Sequence, residues 1–173
     1  MKLEDRRDMG TGELLLRPLS YGDLPAMLEI ERACFATPWR MSTFEGLLAR
    51  RDTDVIGATR TGHLVGYCVI WTVGDQAELG NVAVEEQERG RHIGRRLIEA
   101  ALGRAHGRGA KDCFLEVRES NQLARTLYEN RGFQAIGRRR NYYSKPVEDA
   151  LVMRCDLNWR TGPDALVPPE QRG

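Results

Sequence analysis

A chain of 173 residues, 41% hydrophobic and 29% charged, is long enough for one well-packed domain and too short for two comfortable ones. Its 26 basic and 25 acidic side chains leave a formal charge of +1, which excludes a whole-molecule field that would bind nucleic acid without specificity. No apolar run approaches the roughly 18–20 residues that span a bilayer, and no secretory leader is evident, so a cytoplasmic protein is expected, with neither membrane nor nucleic acid as a direct partner.

Residues 1–11 are polar, and residues 160–173 hold three of the seven prolines with little apolar periodicity. Both read as flexible tails around one domain at 12–159. Within it, "ELLLRPL" predicts a first strand, and Ser20 is placed to cap a helix bearing Leu24, Met27, Leu28 and Cys34 at helical spacing. Ser42 with Glu45 has the spacing of a capping box and predicts the start of a second helix running to about Arg50. "DVIGATR" and "HLVGYCVIWTV", parted by Thr61 and Gly62, predict a hairpin, and "AELGNVAV" a further strand. Ile93, Leu97, Ile98, Ala101, Leu102 and Ala105 share one helical face that ends near Gly107 or Gly109. "CFLEV" predicts a strand, "NQLARTLYENR" a helix stopped at Gly132, and "FQAIGRRRNYY" and "EDALVMRCDL" two more strands. A mixed α+β fold follows, a central sheet of about seven strands flanked by about four helices. Cys34, Cys68, Cys113 and Cys155 lie far apart with no CxxC pair and read as reduced, structural thiols.

The stretch "EEQERGRHIGRRLIEA" puts a basic, glycine-bearing loop between a strand and a helix. Helix N-termini leave amide N–H groups without intrahelical partners and carry about half a positive charge, which suits a pyrophosphate. Gly90 and Gly94 clear space, and Arg89, Arg91, Arg95 and Arg96 bring charge; an arginine-rich solvated helix start is the plain alternative. Neither GxxxxGK[ST] nor a strand-linked GxGxxG is present, so the loop is not a nucleoside-triphosphate or dinucleotide motif.

"NVAVEEQERGRHIGRRL" resembles the acetyl-CoA-binding motif of the Gcn5-related N-acetyltransferases (GNAT), whose pattern is Q/R-x-x-G-x-G/A. Arg89, His92 and Gly94 fall on its first, fourth and sixth positions, so histidine stands where the middle glycine is usual. A positive φ would cost histidine on the order of 1–2 kcal/mol, and an ordinary backbone is therefore expected there. The resemblance covers about Leu14 to Leu157. "CFATPW", "LEVRESNQLARTLYENRGF" and "RRRNYYSKPVEDALVM" look like the branch that acetylates protein N-termini, most of all the bacterial ribosomal-protein-alanine N-acetyltransferases of the RimI type.

That resemblance implies a splayed mixed sheet gripping acetyl-CoA, the co-substrate, between its fourth and fifth strands, and no metal. It implies that Val82, Ala83 and Val84 hold the pantetheine arm and offer an oxyanion donor. Arg89, Gly90, Arg91, His92, Ile93, Gly94 and Arg95 would receive the pyrophosphate, with Asn121 also touching the cofactor.

Glu116 lies in an apolar strand, where a carboxylate is costly unless paired or useful, and it matches the family's general base. A buried ion pair with an arginine such as Arg118 is the alternative. Tyr128 matches the general acid; its alternative is packing with Ala124 and Leu127. A thiolate of pKa about 8.5 leaving beside a tyrosine near 10 makes full proton transfer uphill by roughly 2 kcal/mol, while a hydrogen bond still helps.

Trp39, Tyr142 and Tyr143 are implied to line the acceptor groove, or serve as ordinary packing. Arg138, Arg139 and Arg140 suit a solvated strand edge better than a ribosomal-RNA contact. The expected acceptor is the N-terminal amine, an alanine, of a small-subunit ribosomal protein. Acetylation of a lysine or a small amine and a silent acyl-CoA-binding module are the alternatives.

Overall fold

The computed structural model describes residues 12–158, so the two expected tails and Trp159 lie outside the described residues. The elements follow in the expected order: β1 (Leu14–Pro18), α1 (Leu24–Cys34), α2 (Met41–Ala49), β2 (Thr53–Arg60), β3 (His63–Val73), β4 (Gln76–Val84), α3 (Ile93–Gly107), β5 (Asp112–Arg118), α4 (Gln122–Glu129), β6 (Phe133–Ser144) and β7 (Val147–Asp156). The strands form one sheet of order β1-β2-β3-β4-β5-β7-β6. Thr61 (φ 50°) and Gly62 (φ 83°) make the predicted two-residue turn between β2 and β3, both with the positive φ that tight hairpins require.

Two of the helix starts differ from expectation. Ser20 heads a short 3-10 turn, Tyr21–Asp23, from which α1 continues. At α2 the Ser42–Glu45 spacing does not mark the boundary: the helix begins at Met41, and the Arg40 carbonyl accepts from the Thr43 amide at 3.0 Å. Met41 extends the helical run one residue before the polar signal.

Apolar residues divide between two faces of the sheet. Leu97, Ile98, Ala101 and Leu102 of α3, with Tyr128 of α4, pack on one; Met27 and Leu28 of α1, with Phe44 of α2, pack on the other against Tyr67 and Val69. Strand β4 changes sides partway. Leu79 pairs with Ile70 but Val82 pairs with Cys68, so one extra residue sits in the Gly80–Asn81 stretch. Ala77 and Leu79 face α3, and beyond the bulge it is Val82 and Val84 that do so, while Ala83 turns to α1. Glycine is required at position 80, since a Cβ there would come 2.8 Å from the Trp71 ring and 3.1 Å from that of Trp39.

Strands β4 and β5 run parallel and pair over three rungs, Gln76 with Asp112, Ala77 with Cys113 and Glu78 with Phe114. Past Glu78 they part, and the opening between them is the centre of everything functional that follows. Among the described residues no helix is long and apolar enough to cross a membrane.

Candidate active site

A cleft of about 560 Å³ opens beside the end of β4, floored by the start of α3 and walled by α4. Val82, Ala83, Val84, Arg89, Gly90, His92, Ile93, Gly94, Arg95 and Asn121 line it together with Tyr128. Arg91 does not; its guanidinium lies 3.5 Å from the Glu88 carboxylate.

The loop into α3 is held from behind. Arg89 donates from Nε to the Val84 carbonyl at 3.1 Å and from its terminal nitrogen to Cys34 Sγ at 3.4 Å, tying the end of β4 to the end of α1. Glu88 is 3% exposed and pairs with Arg60 at 3.3 Å. Nothing in the sequence marks that buried carboxylate, because its partner comes from β2, 28 residues away.

Gly90 (φ 76°) and His92 (φ 60°, ψ 17°) are both left-handed. The expectation of an ordinary backbone at His92 is therefore corrected. The chain must reverse twice within four residues to bring the first amides of α3 to the cleft, and it does so with histidine at a cost of about 1–2 kcal/mol. The His92 carbonyl then accepts the first helical hydrogen bond, from Arg96 at 3.1 Å. Gly94 keeps α3 and α4 close, since a Cβ there would sit 3.2 Å from Leu127.

Asn121 caps α4, its side-chain oxygen accepting from the Ala124 amide at 3.1 Å. One turn further, Tyr128 is buried, with its ring edge-on to Phe133 at 5.8 Å. Burial, and after it the neighbouring Tyr143, pushes the Tyr128 hydroxyl well above the usual phenol range. It is a weaker acid than an unburied phenol, suited to donating a hydrogen bond and not a proton.

Glu116, Trp39, Tyr142 and Tyr143 do not line that cleft. Cys113, Leu115 and Val117 of β5 are buried in the α3 core, so Glu116 points to the opposite face. There its carboxylate meets Arg139 at 3.2 Å, which replaces the expected Arg118; Arg118 is turned to Glu148 at 3.5 Å and lies 4.2 Å over the Tyr143 ring. Burial, then the like charge of Glu116, raises the pKa of Glu78 on β4.

A bulge between Arg139 and Tyr143, with Asn141 at φ 51° and its amide bonded to Asp149 at 2.9 Å, sets the two tyrosine rings edge to face at 5.0 Å. Strand β6 is the sheet edge, as expected of "RRR". Trp39 packs on Phe44 at 5.5 Å, and its amide donates to Glu31 at 2.8 Å. Glu31 was legible in principle: it continues the apolar stripe of Met27 and Leu28, where a carboxylate needs a reason.

The profile of the Acetyltransferase (GNAT) family matches residues 24–133. The chain is 37% identical over 142 residues to the [ribosomal protein bS18]-alanine N-acetyltransferase of Salmonella typhimurium, covering 81% of this chain and 95% of that enzyme. It is 35% identical over 152 residues to the N-alpha-acetyltransferase RimI of Mycobacterium tuberculosis, covering 84% and 94%. Among solved structures, the ribosomal-protein-S18-alanine N-acetyltransferase of Escherichia coli superposes with a TM-score of 0.78 at 33% identity, over 83% of this chain and 94% of that one.

Proposed function

Because the chain belongs to the Acetyltransferase (GNAT) family, we propose that it transfers the acetyl group of acetyl-CoA to the N-terminal alanine amine of a small-subunit ribosomal protein in the cytoplasm. One observation carries this reading. The basic, amide-rich cleft lies beside the end of β4 and the carboxylate of Glu116 on the opposite face of β5, and these two strands stop pairing beyond Glu78, between the two.

Donor and acceptor thus approach from two sides, and direct transfer needs no covalent enzyme intermediate. The cleft suits the donor in size and chemistry: the amides opening α3 and the neighbouring arginines match a pyrophosphate, and Val82–Val84 have no strand partner on β5. Gly90 leaves open space, since nothing stands within 4 Å of where a Cβ would be.

Acetyl-CoA supplies an activated thioester. The residues do the rest. Glu116 takes the proton of the acceptor amine, directly or through water. A backbone amide of Val82–Val84 stabilises the oxyanion. Tyr128 donates a hydrogen bond to the departing thiolate without surrendering its proton. Trp39, Tyr142 and Tyr143 border the acceptor's path on the Glu116 face. The alanine preference is supported by the name of the relative at 37% identity.

The test offers acetyl-CoA with two peptides, one starting with a free alanine from a ribosomal protein and one with that amine blocked and a lysine inside. Acetylation of the first alone supports the reading. Acetylation of the second alone moves the enzyme to lysine.

A further inference from the structure

The face that carries Glu116 holds an ion pair with no part in the chemistry above. Glu116 is the register partner of Val152 on β7, Val152 is that of Gly137 on β6, and Arg139 stands two residues beyond Gly137. Two residues along a strand is the same face, which is how Arg139 Nε comes within 3.2 Å of the Glu116 carboxylate. Glu78 is the register partner of Phe114, two residues before Glu116, so it faces this side too. The Tyr142 ring lies 5.8 Å from the Arg139 guanidinium. One cation thus sits among two carboxylates and an aromatic ring, the chemistry that binds cations elsewhere.

Exposure separates the fixed part from the movable part. The Glu116 side chain is 16% exposed and that of Arg139 59%. The carboxylate belongs to the fold, whereas the guanidinium reaches it from solvent, and ion pairs with so exposed a partner are weak and exchange readily. Glu78 responds to the same field: burial and the charge of Glu116 raise its pKa, and Arg139 pulls it back. Arg118, the other arginine nearby, is engaged by Glu148 and Tyr143.

We infer that Glu116, Glu78 and the Tyr142 ring form a seat for an alkylammonium group, that Arg139 fills it in the free protein, and that the acceptor amine arrives protonated and displaces Arg139. The inference rests on the acceptor reading above and names the form in which the substrate binds. The exchange replaces one positive charge with another, so the two carboxylates are never left facing each other without a cation. Once seated, R–NH₃⁺ gives one proton to the Glu116 carboxylate, which sheds it to solvent; the neutral amine then attacks the thioester carbon, and the proton left on its nitrogen passes to the carboxylate as the C–S bond breaks and the thiolate leaves. Arg139 is therefore a specificity-determining residue, a competitor the acceptor must outbid.

Steady-state acetylation of an alanine-initiated ribosomal-protein peptide at saturating acetyl-CoA, compared across the wild type, Arg139→Gln and Arg139→Lys, tests this. Removal of the competitor lowers the peptide KM about two- to fivefold in Arg139→Gln, as expected for loss of an exposed pair, and Arg139→Lys returns it toward the wild-type value. A KM unchanged or raised in Arg139→Gln overturns the inference.

A turnover-independent measurement titrates alaninamide while following the ¹³C resonance of the Glu116 carboxylate. Tighter binding to Arg139→Gln by a similar factor supports the seat, and equal or weaker binding sinks it. If the wild type does not acetylate the alanine peptide, the acceptor reading fails, and the alaninamide titration still decides whether the seat exists.

Discussion

The Asn81 side-chain amide, at the bulge of β4, is bonded to the Glu31 carboxylate of α1 at 2.9 and 3.1 Å. Glu31 is 0% exposed, and it also accepts from the Trp39 amide at 2.8 Å and from the Tyr67 hydroxyl. One carboxylate therefore fixes both the strand that lines the cleft and the loop that carries Trp39. Glu31→Ala leaves three donors without their acceptor and is expected to cost on the order of 3 kcal/mol. Glu31→Gln, which keeps the shape and one acceptor oxygen, costs less. Urea denaturation of both variants checks this, and equal losses would remove the hydrogen-bond account.

Tyr128→Phe keeps the ring against Phe133 and removes the hydroxyl. The expected result is a fall in kcat of about 10-fold or more with acetyl-CoA affinity held, because the hydrogen bond strengthens only as the thiolate forms. Unchanged turnover would take Tyr128 out of the mechanism.

Glu116→Gln removes the carboxylate proposed as base while leaving the acceptor amine its own supply of the neutral form at higher pH. kcat/KM is expected to drop about 10²-fold near neutrality and to recover partly as pH rises toward the pKa of the amine. A pH–rate profile parallel to that of the wild type would show that another group takes the proton.

His92 spends conformational energy where glycine would not. His92→Gly relieves the left-handed strain but gains freedom in the unfolded chain, so a net stabilisation of about 0.5–1 kcal/mol is expected from thermal denaturation. A loss of stability would mean that the imidazole makes contacts worth more than the strain.

Asp23 carries a pH signature. The forked hydrogen bonds from Arg17, at 2.7 and 3.0 Å, hold its carboxyl down to about 2. The folded-state value lies below the ordinary one of about 3.9, so the contribution is complete above that value and fades as pH falls through about 2. Tm measured from pH 5 to pH 2 should fall more steeply for the wild type than for Asp23→Asn. Superimposable curves would show that the pair adds nothing to the start of α1.

What the sequence made legible was local. The period-two runs either side of Thr61–Gly62 and the 3.6-residue stripe from Ile93 to Ala105 lie where expected because neighbouring residues determine them. The start of α2 is off by two residues, with Arg40 in the capping position in place of Ser42, because Met41 begins the helix and Ser42, the polar signal, sits inside it. The cleft lining was legible where one short loop and the helix after it supply it, Arg89 to Arg95 without Arg91, whereas Cys34 and Phe35 come from the far end of α1 and carry no signal of that role.

The opposite face was found only in part. Arg139 meets Glu116 across an intervening strand, and the Gly80–Asn81 bulge that swaps the faces of β4 leaves no periodic trace. Both are consequences of register, which pairs residues far apart in the chain.

The three-rung pairing of β4 with β5 has a further consequence. Beyond Glu78, β4 has no β5 partner in the middle of a sheet, as at the rim of a sheet, and the Val84 carbonyl is taken by Arg89. An extended, amide-bearing ligand laid there would act as a temporary eighth strand. Hydrogen–deuterium exchange at Val82–Val84 will then slow on loading, making the amides of the opening a direct gauge of occupancy.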